Sequence, residues 1–355
     1  MKQRELGFRM ALFLYHLLFA GIAYAYFLYN KGDAHNYWNL TEHWTSYIGI
    51  GTKVIKLINY PLVAVLKLPF WFGLLIYNLI GFVAIWELYS FAHHYISPKT
   101  KMADLLLKIL CLLPNLHFWT SIIGKEPVVF LAVTWIMTQY QYADAKFYSF
   151  KSLLGWLLLM AIRPHVAMFL LLAVLITAVF SSGKWSYRKI GWMLAGLLGC
   201  FSLYILTLKL LNRNPFDIQY ILERNDASLI AFRRANSYVP MIDYNIVERF
   251  FALNFRPLFW DADSFLSLIL SVENGLVLLL LSGALLACIR DFRTITIDSF
   301  AKLSMAFFLI SSCFFIQRYA CLGIFVRTKI MYMTFVLIVA IRIIKKKKKK
   351  NDANN

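Results

Sequence analysis

Long apolar stretches, separated by short polar segments, dominate the pattern along this chain. Most are close to the roughly 20 residues with which an α-helix crosses a bilayer. The ten apolar runs lie at residues 8–30, 69–96, 104–123, 127–143, 149–162, 165–180, 189–211, 264–289, 301–317 and 328–344. This pattern predicts an all-α fold, a polytopic transmembrane helical bundle with about 10 membrane segments.

Three of these runs are short or interrupted. Pro114 interrupts the run at 104–123, and the runs at 127–143 and 149–162 are short for a full crossing. Inside a membrane, short or broken helices are tolerated where they line a cavity that protein encloses. We therefore expect these three segments to lie beside such a cavity.

The basic residues between the runs predict an orientation. If the N-terminus is cytoplasmic, the inside segments are 97–103, 144–151, 181–189, 290–300 and the C-terminal tail. Each of them carries at least two Lys or Arg residues, as is typical of cytoplasmic loops. The pattern predicts that both termini are cytoplasmic, with a single transmembrane domain over 1–344 and a polybasic cytoplasmic tail over 345–355.

Composition agrees with a membrane location. Hydrophobic residues make up 60% of the 355 residues and charged residues 15%, against about 25% charged residues in soluble globular domains. The formal net charge is +19, but the basic residues lie in short loops and in the tail. A nucleic-acid-binding protein concentrates them on one polar domain, so we expect no nucleic-acid partner.

In this orientation, the outside segments contain polar residues of the types that carry out catalysis and bind substrates. The candidate site residues there are Asp33, His35, Tyr37, Lys125, Glu126, Arg163, His165, Arg318, Arg327 and Lys329. The longer outside loops, 31–68 and 212–263, each contain a mixed apolar and charged stretch, at 53–67 and 244–255. Such stretches are typical of helices that lie in the membrane interface.

Several of these residues also have a structural interpretation. Lys125 and Glu126 form either a surface ion pair of little energetic value or part of a site. Arg327 and Lys329 are either site residues or anchors whose charged ends reach the interface. Arg163, between two short apolar runs, needs a partner or a wet cavity. Glu87 and Glu273, each inside an apolar run, are the predicted structural partners of a buried arginine.

Transfer of a sugar from a polyprenyl-phosphate carrier needs residues of these types. A guanidinium binds two phosphate oxygens at once, a carboxylate takes the proton of the attacking hydroxyl, and cations stabilise the charge on the departing phosphate. This hypothesis makes Asp33 and Glu126 the candidate catalytic residues. The candidate substrate-binding residues are His35, Tyr37, Lys125, Arg163, His165, Arg318, Arg327 and Lys329.

Three stretches resemble known membrane enzymes. Asp33 directly after the first run, together with residues 113–126 and 323–329, is similar to segments of GT-C membrane glycosyltransferases and EpsG-like surface-polysaccharide polymerases of bacteria. The resemblance implies an enzyme at the external face of the bacterial inner membrane. Its donor would be a polyprenyl-phosphate-linked sugar, its acceptor a glycan or lipid, and its surroundings membrane lipids.

The sequence departs from the GT-C pattern in one respect. GT-C enzymes often carry paired acidic residues in the first external loop, whereas the next acidic residue after Asp33 is Glu42. The cofactor therefore stays open between none and a divalent cation, and no residue is assigned as a metal ligand.

Two other functions fit a polytopic chain, namely a transporter or flippase for a lipid or glycan, and a non-catalytic membrane assembly protein. Transporters often show internal repeats and polar residues near the membrane midplane. This sequence shows no repeat of fixed period, and its predicted polar clusters lie at one face.

The predicted orientation is testable with reporter fusions. Because the basic loops place the outside loops opposite the tail, reporters at Trp38 and Asp226 should be external and those at Lys184 and Lys347 cytoplasmic. A cytoplasmic signal at Asp226 would contradict the orientation of the second half of the chain.

Overall fold

A computed structural model of the chain describes residues 2–30, 32–98, 100–142, 149–180, 187–210, 214, 216–291, 293, 295 and 297–351. These residues are helical, apart from loops and one isolated antiparallel bridge between Tyr238 and Cys321, which confirms the predicted all-α class. The α-helices are α1 (Lys2–Tyr29), α2 (Asp33–Trp38), α3 (Thr52–Tyr60), α4 (Phe70–Ile96), α5 (Lys101–Cys111), α6 (Pro114–Thr120), α7 (Lys125–Tyr142), α8 (Phe150–Ile162), α9 (Pro164–Phe180), α10 (Tyr187–Leu210), α11 (Ile218–Ala231), α12 (Ile246–Phe255), α13 (Phe265–Arg290), α14 (Ser299–Phe315) and α15 (Leu322–Asn351).

Single turns of other helix types accompany these elements. They are the 3₁₀ turns Trp44–Tyr47, Phe232–Arg234 and Phe259–Asp261 and the π-helical turn Pro61–Val65.

Each predicted apolar run is largely helical. The run at 104–123 is divided into α5 and α6 at Pro114, the first residue of α6. Proline is tolerated at this position because the first N–H groups of a helix have no acceptor within the helix. Among the described residues, five helical stretches are long and apolar enough to cross a membrane, which indicates a membrane protein. They are Leu6–Tyr29, Phe70–Ile96, Lys101–Thr120, Phe265–Arg290 and Leu322–Lys345. The count of about ten crossings and the orientation of the termini stay predictions.

The two stretches predicted to form interfacial helices are also helical. The first contains α3, and the second contains α12. A capping box starts α12, because Asn245 accepts from the Glu248 N–H and Glu248 accepts from the Asn245 N–H. The position of either helix at a membrane surface stays a prediction.

Contacts divide the chain into two compact units. The first comprises Met1–Ser97 and Asp104–Pro164, and the second comprises Pro98–Ala103 and His165–Asn355. The assignment of 1–344 to one domain and of 345–355 to a cytoplasmic tail stays a prediction, and α15 continues through the lysine run to Asn351. The predicted inside loops at 144–151 and 181–189 lie largely outside the described residues.

Glycines let helices of the first unit approach closely. A Cβ atom on Gly81 of α4 would overlap the backbone carbonyl of Thr120 at the end of α6. On Gly155 of α8, a Cβ atom would lie 2.8 Å from the Ala132 carbonyl of α7. Small residues at such crossings are typical of membrane helices, whose association depends on van der Waals packing.

In the second unit α15 is the central helix. Its apolar part is largely buried and packs against α12, α13 and α14. Side-chain hydrogen bonds join three of these helices, because the Tyr332 hydroxyl donates to Asn254 Oδ1 (3.2 Å) and Asn254 Nδ2 donates to Ser312 Oγ (3.1 Å). Buried polar side chains therefore help to set the helix register here.

The close approach at Gly81 predicts a stability difference between two glycine substitutions. Gly81→Ala forces a methyl group against a backbone carbonyl and should lower the free energy of unfolding by about 1–3 kcal/mol, as overpacking usually does. The control is Gly21→Ala in α1, where a Cβ atom meets nothing within 4 Å. Thermal unfolding of the purified protein in detergent compares the two. Equal midpoints would contradict the contact.

Candidate functional site

A buried ion pair lies at one end of the first unit. Arg163 Nη2 donates to Glu126 Oε1 at 2.5 Å, and the two side chains are 8% and 5% exposed. Glu126 lies in the first turn of α7 and Arg163 directly follows α8, so each charge is at the favourable end of a helix macrodipole. Gly155 lies near Ala132 and Arg163 pairs with Glu126, so later residues of α8 meet earlier residues of α7 and the two helices are antiparallel.

This pairing corrects two structural expectations. Glu126 is buried with Arg163, so the interpretation of Lys125 and Glu126 as a surface pair is wrong. For Glu87, the expectation that its partner is a buried arginine is also wrong, whereas for Glu273 it stays a prediction. Glu87 pairs with Lys151 from α8, and Glu126 holds the arginine because the helix ends of α7 and α8 meet.

Tyr37 and Lys125 lie near the same pair. A Cβ atom on Gly124 would lie 3.1 Å from Glu126 Oε2 and 3.6 Å from the Tyr37 ring, so the absence of a side chain there lets these groups meet. Lys125 is half-buried, and its Nζ lies 3.9 Å from the position of a Cβ atom on Gly51. We call Tyr37, Lys125, Glu126 and Arg163 the first-unit cluster.

The turn at Gly51 ties this cluster to the end of α8. Gly51 has a φ of +73°, in the left-handed region that favours glycine. Its N–H donates to the Ala161 carbonyl at 2.8 Å. One of the carbonyl groups that the end of α8 leaves without a helical partner is thereby satisfied.

Helix α2 carries Asp33 to the edge of the first-unit cluster. Asp33 is its first residue and is exposed, and Tyr37 lies one helical turn later on the same face. Asn59 Nδ2 donates to the Tyr37 carbonyl (3.0 Å), and the Tyr77 hydroxyl donates to Asn59 Oδ1 (2.9 Å). These buried bonds fix α2 against α3 and α4, so the Asp33 carboxylate sits on an anchored helix.

His35 has contacts of a different kind. Its Nε2 donates to the Phe27 carbonyl at 2.9 Å, and its ring stacks on Phe70 with the centroids 4.4 Å apart. These contacts hold α2 to α1 and α4. The predicted role of His35 in substrate binding stays a prediction.

The other candidate residues lie in the second unit. The His165 ring is near Phe169 and Phe315, with centroids 5.9 and 6.1 Å away. Arg318 Nη1 donates to Asn225 Oδ1 at 3.1 Å. Arg327 is half-buried on α15. Their predicted contacts with a substrate stay predictions.

Lys329 is buried between α13 and α15. It is 3% exposed, its ammonium group donates to Asn274 Oδ1, and the carboxylate of Glu273 interacts with it electrostatically. Asn274 Nδ2 in turn donates to the Pro257 carbonyl at 2.7 Å. The interpretation of Lys329 as an anchor that reaches the interface is therefore wrong, since Glu273 and Asn274 hold its charge inside the unit.

A further ion pair, between Arg256 and Asp261, was not predicted from the sequence. Arg256 Nε donates to both Asp261 oxygens at 3.1 and 3.0 Å, and Nη1 donates to the Tyr244 hydroxyl at 3.1 Å. The hydrogen bond to Asp261 raises the pKa of Arg256 against the effect of burial. Burial opposes ionisation of Asp261, but hydrogen bonds from Arg256 and from the Leu258 N–H lower its pKa overall. The sequence signal that was available is the placement of Arg256 directly before Pro257 and of Asp261 four residues after it.

Neither a cluster of metal ligands nor a similar protein identifies the function of this site. In the described part of the chain, no group of three or more His, Cys, Asp or Glu side chains is placed to hold a metal ion. The chain matches no protein-family model, and neither a curated protein nor a solved structure with significant similarity is found. The functional interpretation therefore depends on the geometry of the site and on the chemistry of its residues.

Because Arg163 and Glu126 are buried, removing one of them should lower the free energy of unfolding much more than replacing both. Arg163→Met leaves the Glu126 carboxylate buried without its partner and should lower the free energy of unfolding by about 3–5 kcal/mol. Adding Glu126→Gln removes that charge and should restore much of the loss. Chemical unfolding of the purified variants in detergent measures both effects.

The control is the more exposed pair of Lys151 and Glu87, whose side chains are 49% and 24% exposed. Lys151→Met should cost at most about 1 kcal/mol, as exposed ion pairs do. If Arg163→Met and Lys151→Met were equally mild, the buried pair would not stabilise the first unit.

Proposed function

We propose that this chain is a membrane glycosyltransferase or polysaccharide polymerase, of the GT-C-like or EpsG-like kind, that uses a polyprenyl-phosphate-linked sugar. The observation that carries the proposal is the first-unit cluster with Asp33 at its edge. An exposed carboxylate, a half-buried lysine and a tyrosine there surround a buried ion pair. The enzyme would act at the external face of the bacterial inner membrane, on a glycan or lipid acceptor.

In this mechanism Asp33 is the general base. Because Asp33 is exposed and lies at the start of an anchored helix, an acceptor hydroxyl can reach its carboxylate. The carboxylate takes the hydroxyl proton while the oxygen attacks the anomeric carbon of the donor sugar. The bond from that carbon to the phosphate oxygen breaks, and the carrier leaves with the negative charge.

Lys125 is the residue that stabilises the departing phosphate. Its ammonium group lies at the N-terminus of α7, where backbone N–H groups and the helix dipole also favour an anion. Positive groups placed where charge develops lower the barrier of such a transfer. The Tyr37 ring is buried beside Gly124 and supports the turn that leads into α7, so its predicted contact with a sugar ring is a separate hypothesis.

Glu126 and Arg163 are positioning residues in this proposal. Their ion pair fixes the first turn of α7, and so fixes Lys125, relative to α8. Because Glu126 neutralises the charge of Arg163, the proposed stabilisation of the phosphate depends on Lys125. The proposed roles of the second-unit residues His165, Arg318, Arg327 and Lys329 in holding the carrier are separate hypotheses, on which the assignment of Asp33 and Lys125 does not depend.

The sharpest test of the proposed reaction is Asp33→Asn, which keeps the shape of the side chain and removes its charge. A general base typically contributes about 10²–10⁴-fold to the rate, so transfer by the purified protein should fall by about that factor. Glu42→Gln, which changes an exposed acidic residue of the same loop, is the matched control and should have a much smaller effect.

Sugar transfer from a polyprenyl-phosphate-linked donor to an acceptor glycan is the measurement. Undiminished transfer by Asp33→Asn would exclude Asp33 as the base. If neither variant nor the unaltered protein transferred sugar but the protein moved the lipid-linked sugar across vesicles, the transferase proposal would be wrong.

A further inference from the structure

Two histidines face each other inside the first unit. His16 of α1 and His117 of α6 are both fully buried, and their Nδ1 atoms lie 2.8 Å apart. Both lie in stretches that are apolar enough to cross a membrane. Two nitrogen atoms at this distance share a hydrogen, because two bare nitrogen lone pairs would repel each other.

The outer nitrogen of each ring meets a backbone carbonyl. His16 Nε2 lies 2.9 Å from the Asn78 carbonyl, and His117 Nε2 lies 2.7 Å from the Cys111 carbonyl. Carbonyl oxygens only accept hydrogen bonds, so each Nε2 has to carry a hydrogen to make its bond.

These contacts determine the number of ring protons. A neutral imidazole carries one N–H, so two neutral rings carry two. The observed contacts use three, namely one on each Nε2 atom and one between the two Nδ1 atoms. We infer that His16 and His117 form a proton-binding site, an imidazole–imidazolium pair that holds one positive charge among the membrane-spanning helices.

The groups around the pair suit a positive charge. Asn78 Nδ2 donates to the His16 carbonyl and to Ser121 Oγ, both at 2.8 Å. Asn78 Oδ1 is a buried acceptor to which no described residue donates. The two carbonyl oxygens that contact the rings only accept, and hydrogen bonds to the charged form of a group favour that form.

The titratable neighbours of the pair carry no charge of their own. The Tyr15 hydroxyl donates to the Leu112 carbonyl at 3.1 Å, and its ring lies 4.7 Å from that of His117. The Cys111 thiol is buried beside them. Among the described residues, no Asp, Glu, Lys or Arg side chain is hydrogen-bonded to either ring, so carbonyl oxygens alone stabilise the bound proton.

Ser121 offers a hydrogen bond to the other protonation state. Its hydroxyl donates to the His117 carbonyl at 2.7 Å and lies 3.4 Å from His16 Nε2. If His16 Nε2 loses its proton, rotation of this hydroxyl supplies the donor that the bare nitrogen then needs. Ser121 begins the turn that leads to Lys125.

The site is testable by ¹⁵N NMR of the full-length protein, labelled at histidine, in lipid nanodiscs near neutral pH. We expect one hydrogen shared between two Nδ1 atoms, with both Nε2 atoms of those rings protonated. The shared-hydrogen signal should be lost in His16→Gln and in His117→Gln. It should persist in His43→Gln, the control, because the His43 ring is exposed and is hydrogen-bonded to Thr45.

The inference is overturned if either ring shows an unprotonated Nε2 atom, which would mean two neutral rings and no bound proton. Assignment does not require the variants to fold, since ¹⁵N–¹⁵N dipolar correlation in the unaltered protein identifies the rings by their 2.8 Å nitrogen separation. The experiment is independent of the proposed sugar transfer, because it contains no donor or acceptor.

Discussion

The ion pair of Arg163 and Glu126 is the constraint on which the candidate site depends. It joins the start of α7 to the end of α8, and both charges are almost fully removed from water. A buried charge without its partner is strongly destabilising, so neither residue can move far without the other. Lys125 takes its position from these two helix ends, and Asp33 and Tyr37 take theirs from α2, which Asn59 and Tyr77 anchor.

Polar side chains also connect helices elsewhere in each unit. In the first unit Asn78 bonds to groups of α1 and to Ser121, and in the second unit Asn254 bonds to Ser312 and Tyr332. Interhelical hydrogen bonds in membranes are each worth about 0.6–2 kcal/mol. Several such bonds select one register among helices whose apolar surfaces alone would pack in many ways.

Much of the helical framework could be predicted from the sequence, because a long apolar run in this composition has few other ways to satisfy its backbone. The division at Pro114 followed from the chemistry of proline. The need of Arg163 for a partner was also predictable, but Glu126 could not be identified as that partner, because the antiparallel packing of α7 and α8 decides it. The pairing of His16 with His117 could not be predicted either, since 101 residues separate them and only tertiary packing brings them together.

The most direct test of the central claim is whether the first-unit cluster binds the phosphate of a lipid carrier. Native mass spectrometry of the purified protein compares a polyprenyl phosphate with the corresponding polyprenol, in the unaltered protein, in Lys125→Gln and in the control Lys151→Gln. The account predicts binding that requires the phosphate, is lost in Lys125→Gln and is kept in Lys151→Gln. Equal binding of the polyprenol, or full binding by Lys125→Gln, would contradict it.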